Sequence, residues 1–244
     1  MIRVAGATHQ GCVRPNNEDA FYFDETRGVA ILADGMGGQN CGEVSSEITV
    51  RAASAYLLQP ANGLSLEERA HEAIRVANRE VLGAASLRPE CVGMGSTIVM
   101  ALWRLPEVVI ANVGDSRAYL YRGGVLRQLS YDQNFANEMR DRMGLSEEHL
   151  QIMPNRHVLT MAVGAFEQVL ARIHTERVEP GDRILLCSDG LSGPVSEAGM
   201  AAILREPSAT QDKVDMLIRA ANARGGPDNV TAVLLEFEDA SGSN

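Results

Sequence analysis

Lysine is almost missing: Lys213, in Gln211-Asp212-Lys213-Val214, is the only one among 244 residues. A Walker A nucleotide loop and a kinase ATP site each need a placed lysine, so both are excluded. Cysteine is scarce too. Cys12, Cys41, Cys91 and Cys187 lie far apart with no Cys-x-x-Cys pair, and none opens a Cys-x5-Arg loop, which removes cysteine-dependent phosphatase chemistry. Set beside apolar or small neighbours, the four are expected to be reduced core thiols. No run approaches 18 apolar residues, and Met1-Ile2-Arg3-Val4 leads directly into patterned sequence, so neither a membrane span nor a secretory leader is expected and the compartment is read as cytoplasmic. Basic residues are outnumbered: 22 Lys+Arg against 32 Asp+Glu leave a net charge of -10, which repels nucleic acid at long range.

What is present is a globular composition, 45% apolar and 22% charged, with enough apolar side chains for a sizeable core. No internal repeat and no Pro/Gly/Ser linker divides the chain, so one domain over residues 1–237 is expected, followed by a small, polar, flexible tail at 238–244. Strand-like runs occur around 20–24, 27–33, 95–102, 107–113, 117–121, 125–129, 171–178, 182–188 and 230–237. Several are only a few turn residues apart, as antiparallel hairpins require, and Gly123-Gly124 is the clearest two-residue turn. Helical periodicity covers 42–58 (Val44, Ile48, Ala52 and Tyr56 on one face), 66–86 (Ala70, Ile74, Ala77, Val81) and 209–223 (Val214, Leu217, Ile218, Ala221). Long helices interrupting runs of strands, without regular alternation, predict an α+β layered sandwich. Residues 130–165, broken by Asn134, Gly144 and Pro154, read as a mobile flap.

The chemistry gathers at strand ends. Val29-Ala30-Ile31-Leu32-Ala33 runs straight into Asp34-Gly35, and Arg183-Ile184-Leu185-Leu186-Cys187-Ser188 into Asp189-Gly190. Val108 to Gly114 ends at Asp115, and Pro227-Asp228-Asn229 precedes the last strand. Any one of these alone reads as a hairpin turn, because Asp and Gly are favoured there. In a sandwich, however, all four can converge on one mouth of the sheets. Like charges about 4 Å apart repel by roughly 4 kcal/mol at an effective dielectric near 20, so protonation or a cation must relieve such a cluster. All-oxygen donors suit Mg²⁺ or Mn²⁺, and a pair of such ions suits hydrolysis at phosphorus. Arg14, four and five residues ahead of Glu18-Asp19, can bind two phosphate oxygens at once.

Arg14 with Asn17-Glu18-Asp19, Ala33-Asp34-Gly35-Met36-Gly37-Gly38 with Gly42-Glu43, Gly95-Ser96-Thr97, Val113-Gly114-Asp115-Ser116-Arg117, Leu159-Thr160 with Gly164, Ser188-Asp189-Gly190-Leu191 and Asp228-Asn229-Val230-Thr231 resemble, in order, the motifs of the PP2C-type (PPM) metal-dependent serine/threonine phosphatases. The likeness spans about residues 3–237, and its nearest form is the compact bacterial type that opposes Hanks-type kinases. The resemblance implies an α-β-β-α sandwich of two antiparallel sheets with metals at one end. It implies that Asp34 bridges two Mn²⁺ or Mg²⁺ ions and that Gly35 contributes its carbonyl. Asp189 and Asp228 would complete one shell, Glu18 and Asp19 would serve the other partly through water, and Asp115 with Asp189 would hold a third, weaker ion. It further implies that Arg14 seats the phosphate and a metal-bridging hydroxide attacks phosphorus, with phosphoproteins and a cognate kinase as partners, no membrane, and a monomeric state.

Two departures stand out. Gln39, followed by Asn40, replaces the histidine of many bacterial members, and a glutamine cannot donate a proton as an acid near neutral pH. Asp132-Gln133-Asn134 stands where relatives usually read Asp-His-Ser. Among the five histidines His157, in the flap, is the first to examine as a substitute donor. A phosphoprotein-binding module without catalysis is the competing reading, and retention of all the acidic positions argues against it.

Overall fold

The computed structural model describes residues 1–37 and 41–238. Their elements are β1 (Ile2–His9), β2 (Asp19–Asp24), β3 (Val29–Met36), α1 (Cys41–Leu57), α2 (Leu66–Ser86), β4 (Gly95–Ser96), β5 (Ile98–Arg104), β6 (Glu107–Val113), β7 (Arg117–Arg122), β8 (Val125–Gln128), α3 (Phe135–Met143), α4 (Glu147–Gln151), β9 (Arg172–Arg177), β10 (Arg183–Cys187), α5 (Asp189–Ser192), α6 (Glu197–Arg205), α7 (Thr210–Asn222) and β11 (Val230–Phe237). The expected polar tail, apart from Glu238, lies outside the described residues, as do Gln39 and Asn40.

Strand alternation builds three apolar layers. In β3, Ala30 and Leu32 point one way while Val29, Ile31 and Ala33 point the other. In β10 the pairs are Ile184/Leu186 and Leu185/Cys187, and in β11 Val233/Leu235 oppose Ala232/Leu234. One set from each strand meets in the middle, where Leu32, Val99 and Ile110 of one sheet pack against Leu120, Ile184, Leu186 and Leu235 of the other. The outward set of the β2-β3-β5-β6-β9 sheet is covered by α1 and α2, through Ala53, Leu57, Ile74, Ala77 and Val81. The outward set of the β1-β11-β10-β7-β8 sheet is covered by α6 and α7, through Met200, Leu204, Val214, Leu217 and Ile218. Every named strand pair is antiparallel. The result is the expected α-β-β-α sandwich. Its central strands are buried on both faces, which is why they read as unbroken apolar runs rather than alternating ones.

Several local expectations need correction. The sequence offers no strand over 2–9, yet β1 pairs with β11 along its whole length, from Ile2↔Phe237 to His9↔Val230. Small Ala5, Gly6 and Ala7 weaken its apolar alternation, and most of its residues are half-buried or exposed. On α1 the deepest stripe is Ser45, Thr49 and Ala53, while Val44, Ala52 and Tyr56 are only half-buried. In the flap segment, Asn134 and Gly144 are helix caps rather than breakers. The Asn134 side chain accepts from Asn137 N–H at the start of α3, and Gly144 closes it at φ 64°.

The cysteines depart furthest from expectation. Cys41 and Cys91 form a disulfide with Cα atoms 5.5 Å apart, Cys12 is exposed, and only Cys187 is a free thiol in the core. A separation of 50 residues hides that pairing from any reading of spacing. It exists because the first residue of α1 packs on the short 3₁₀ turn Pro89–Cys91.

Candidate active site

Antiparallel register gathers the acidic residues. Asp19 opens β2 directly opposite Asp34 near the end of β3, and Asp189 follows β10. Asp228 precedes β11, and Asp115 sits in the turn between β6 and β7. All therefore come to one end of the two central strand sets. Of the eight positions expected from the sequence, seven (Arg14, Glu18, Asp34, Gly35, Asp115, Asp189 and Asp228) line one cleft of about 270 Å³. Asp19 stands behind it. A larger cavity of about 860 Å³, between α2 and residues 167–171, holds no comparable set of carboxylates, so chemistry rather than size marks the site.

Hydroxyls and amides fix these acids in place. Asp19 Oδ2 accepts from Ser188 Oγ at 2.8 Å and from Thr231 Oγ1 at 2.7 Å. Asp34 is held through its backbone: its N–H donates to Thr97 Oγ1 at 2.9 Å, and its carbonyl accepts from Thr97 N–H at 2.8 Å and Ser96 Oγ at 3.0 Å. Thr97 and Ser116 hydroxyls bond at 2.7 Å, tying that strand end to the Asp115 turn. Asn229 locks the N-terminal loop. Its Oδ1 accepts from Glu18 N–H at 2.8 Å, and its Nδ2 donates to the carbonyls of Gln10 at 2.9 Å and Asn16 at 2.7 Å. Gly35 cannot be replaced by a larger residue, because a Cβ there would stand 1.9 Å from the Gly42 carbonyl oxygen. Ser188, Thr231, Thr97 and Asn229 all fall within recognised motifs, but nothing in the linear sequence says which acid each one supports.

The electrostatics show an unmet demand for positive charge. Loss of hydration, opposed by its two hydroxyl donors and reinforced by Asp189 and Asp228, raises Asp19 to about 7. Loss of hydration and the charges of Asp189 and Asp132 raise Asp115 likewise to about 7. Asp34 is driven well above the usual carboxylate range by loss of hydration and by Asp19, Asp189, Asp115 and Asp228. Asp189 is raised as well, by loss of hydration and then by Asp228, although the nearby His157 opposes this. Arg14, exposed at the rim, donates from Nη2 to Asp228 Oδ2 at 2.7 Å. Arg117 is committed to Asp132, with Nε and Nη2 at 2.9 and 2.7 Å from Oδ2.

The donor set fits a hard divalent cation. It is all oxygen, it carries surplus negative charge, and Asp19 Oδ1 is buried with no hydrogen-bond partner. Among the described residues no three acidic, imidazole or thiol side chains are already drawn into a coordinating cluster. His157 lines the wall of the cleft and comes from the segment read as a flap.

Comparisons with known proteins identify the family. The family model for protein phosphatase 2C matches residues 5–234. Serine/threonine phosphatase stp of Listeria innocua is 36% identical over 235 residues, covering 94% of this chain and 93% of its own. The crystal structure of the Mycobacterium tuberculosis serine/threonine phosphatase PstP/Ppp superposes with a TM-score of 0.90 at 33% identity, covering 98% of this chain and 99% of that one. The catalytic domain of PstP in complex with two manganese ions superposes at 0.86, with 33% identity and the same coverage. The relatives are bacterial. This chain is therefore a protein phosphatase and belongs to the protein phosphatase 2C family.

Proposed function

We propose that the chain removes phosphate from phosphoserine and phosphothreonine side chains of proteins and so opposes a Hanks-type serine/threonine kinase. It acts as a cytoplasmic monomer through one domain over residues 1–237. The observation that carries this reading is the surplus of carboxylates in a single cleft, with an unpartnered buried oxygen of Asp19 behind it. Two Mn²⁺ or Mg²⁺ ions answer that surplus. Asp34 would serve both and the Gly35 carbonyl would contribute a further oxygen; Asp189 and Asp228 would hold one ion, Glu18 and Asp19 the other, partly through water, and Asp115 with Asp189 offers a weaker third position. The two manganese ions of the PstP complex support the count. Bound there, such ions would lower the pKa of a water toward neutrality and stabilise charge on phosphoryl oxygens.

The chain's own residues do the rest. Arg14 presents paired N–H donors at the rim, and on substrate binding it exchanges one anionic oxygen acceptor, that of Asp228, for those of the phosphate. Ser188, Thr231, Thr97 and Asn229 keep the acids from collapsing or turning away when charge in the cleft changes. Purified protein should release phosphate from a phosphothreonine peptide with Mn²⁺ present and stop when EDTA is added. Turnover that survives EDTA, or no turnover with any divalent ion, would overturn the proposal.

A further inference from the structure

The Cys41–Cys91 bond joins the two segments that wrap the metal-binding end of β3. Cys41 begins α1, and the next residue, Gly42, touches the site twice. A Cβ on it would stand 2.5 Å from Glu18 Cδ. Its carbonyl oxygen lies against Gly35. On the other side, the Cys91 carbonyl accepts from Met94 N–H at 3.0 Å, and the chain then enters β4, where Gly95 and Ser96 pair with Met36 and Gly35. Ser45 Oγ, one turn into α1, donates to the Gly42 and Gly95 carbonyls, so the two flanks meet again there. The sulfurs are buried, with Cys41 3% and Cys91 4% exposed, but Cys91 hangs from a turn whose neighbours Arg88, Glu90, Val92 and Gly93 are exposed. Local opening of that turn would admit a small thiol or disulfide.

We infer that Cys41 and Cys91 form a reversible thiol–disulfide modification site whose closed state holds Glu18 and Gly35 in the geometry that binds divalent cations. Closing it oxidises two thiols to one disulfide, with loss of two electrons and two protons. A low-molecular-weight disulfide is the acceptor and leaves as two thiols after a mixed-disulfide step. The inference rests on the phosphatase reading of the cleft.

The test uses the full metal-free chain, prepared once with oxidised glutathione and once with a non-chelating phosphine reductant. Peptide mapping after alkylation reports the state of Cys41 and Cys91, and Mn²⁺ affinity is measured by titration calorimetry. The expected result is a Cys41–Cys91 bond in the first sample and Mn²⁺ binding roughly fivefold or more tighter than in the second. Cys91→Ser should bind like the reduced sample whichever reagent is present, and because the main comparison uses unmutated protein, it stands even if that variant fails to fold. Free Cys41 and Cys91 after glutathione treatment would overturn the inference. Equal, measurable affinities would overturn the coupling alone, whereas no Mn²⁺ binding in either sample would overturn it together with the phosphatase reading.

Discussion

Where β10 begins, Asp182 and Glu236 are buried and each meets cations of the chain. Arg122 grips Asp182 through Nε at 2.9 Å and Nη2 at 2.6 Å, while Arg183, Lys213 and Thr210 converge on Glu236. Where β10 ends, Asp19, Asp34, Asp115, Asp189 and Asp228 crowd together, with the exposed Arg14 on Asp228 and Arg117 already committed to Asp132. The consequences are opposite. Burial tends to raise the Glu236 carboxyl, but its three donors bring it below the usual range, whereas Asp19 and Asp115 rise to about 7. One end of the sandwich is neutralised from within and serves stability. The other keeps a charge surplus that only protons or external cations relieve, at the cost of stability in the metal-free chain.

Substitutions can break that contrast. Asp34→Asn should have the largest effect on function, reducing phosphate release to background, while the metal-free protein melts at a higher temperature because a crowded charge is gone. Activity near the parent level would remove Asp34 from the centre of the site. Asp182→Asn at the far end should do the reverse: denaturant unfolding should show a loss of about 2–3 kcal/mol with kcat of the folded protein unchanged. A stability change below a few tenths of a kcal/mol would show that the Arg122 pair is ornamental. Arg14→Ala should raise KM for a phosphopeptide about tenfold with kcat largely kept, the effect of losing one charged contact to phosphate. An unchanged KM would assign Arg14 to holding Asp228. Ser188→Ala, which strips one donor from Asp19, should weaken Mn²⁺ binding about tenfold by calorimetry, and equal affinity would mean that Thr231 suffices.

Much of this architecture is legible in the sequence, for physical reasons. Apolar runs ending in Asp-Gly announce central strands that deliver acids to one edge, and α2 and α7 bury the residues their periodicity marks. What the sequence could not show depends on register and long-range contact. β1 is stabilised by pairing with β11 rather than by its own apolar pattern. Asn134 and Gly144 read as interruptions in the sequence, whereas they cap the two ends of α3. Ser188 and Thr231 reveal their roles only once β2, β10 and β11 lie side by side. The Cys41–Cys91 bond is the extreme case, since nothing near either residue names the other.

The central claim, that the acidic end awaits divalent cations, is tested most directly by thermal unfolding of the chain against pH with and without Mn²⁺. Asp19 and Asp115 have folded pKa values raised from 3.8 to about 7, so the unfolded chain gives up these protons first. Metal-free stability should therefore be fullest below about pH 4 and fall as pH rises toward 7. With Mn²⁺ present, the melting temperature at pH 7 and above should rise clearly over the metal-free value, and the rise should shrink as the acids protonate at lower pH. Melting curves that coincide with and without Mn²⁺ across that range would contradict the account.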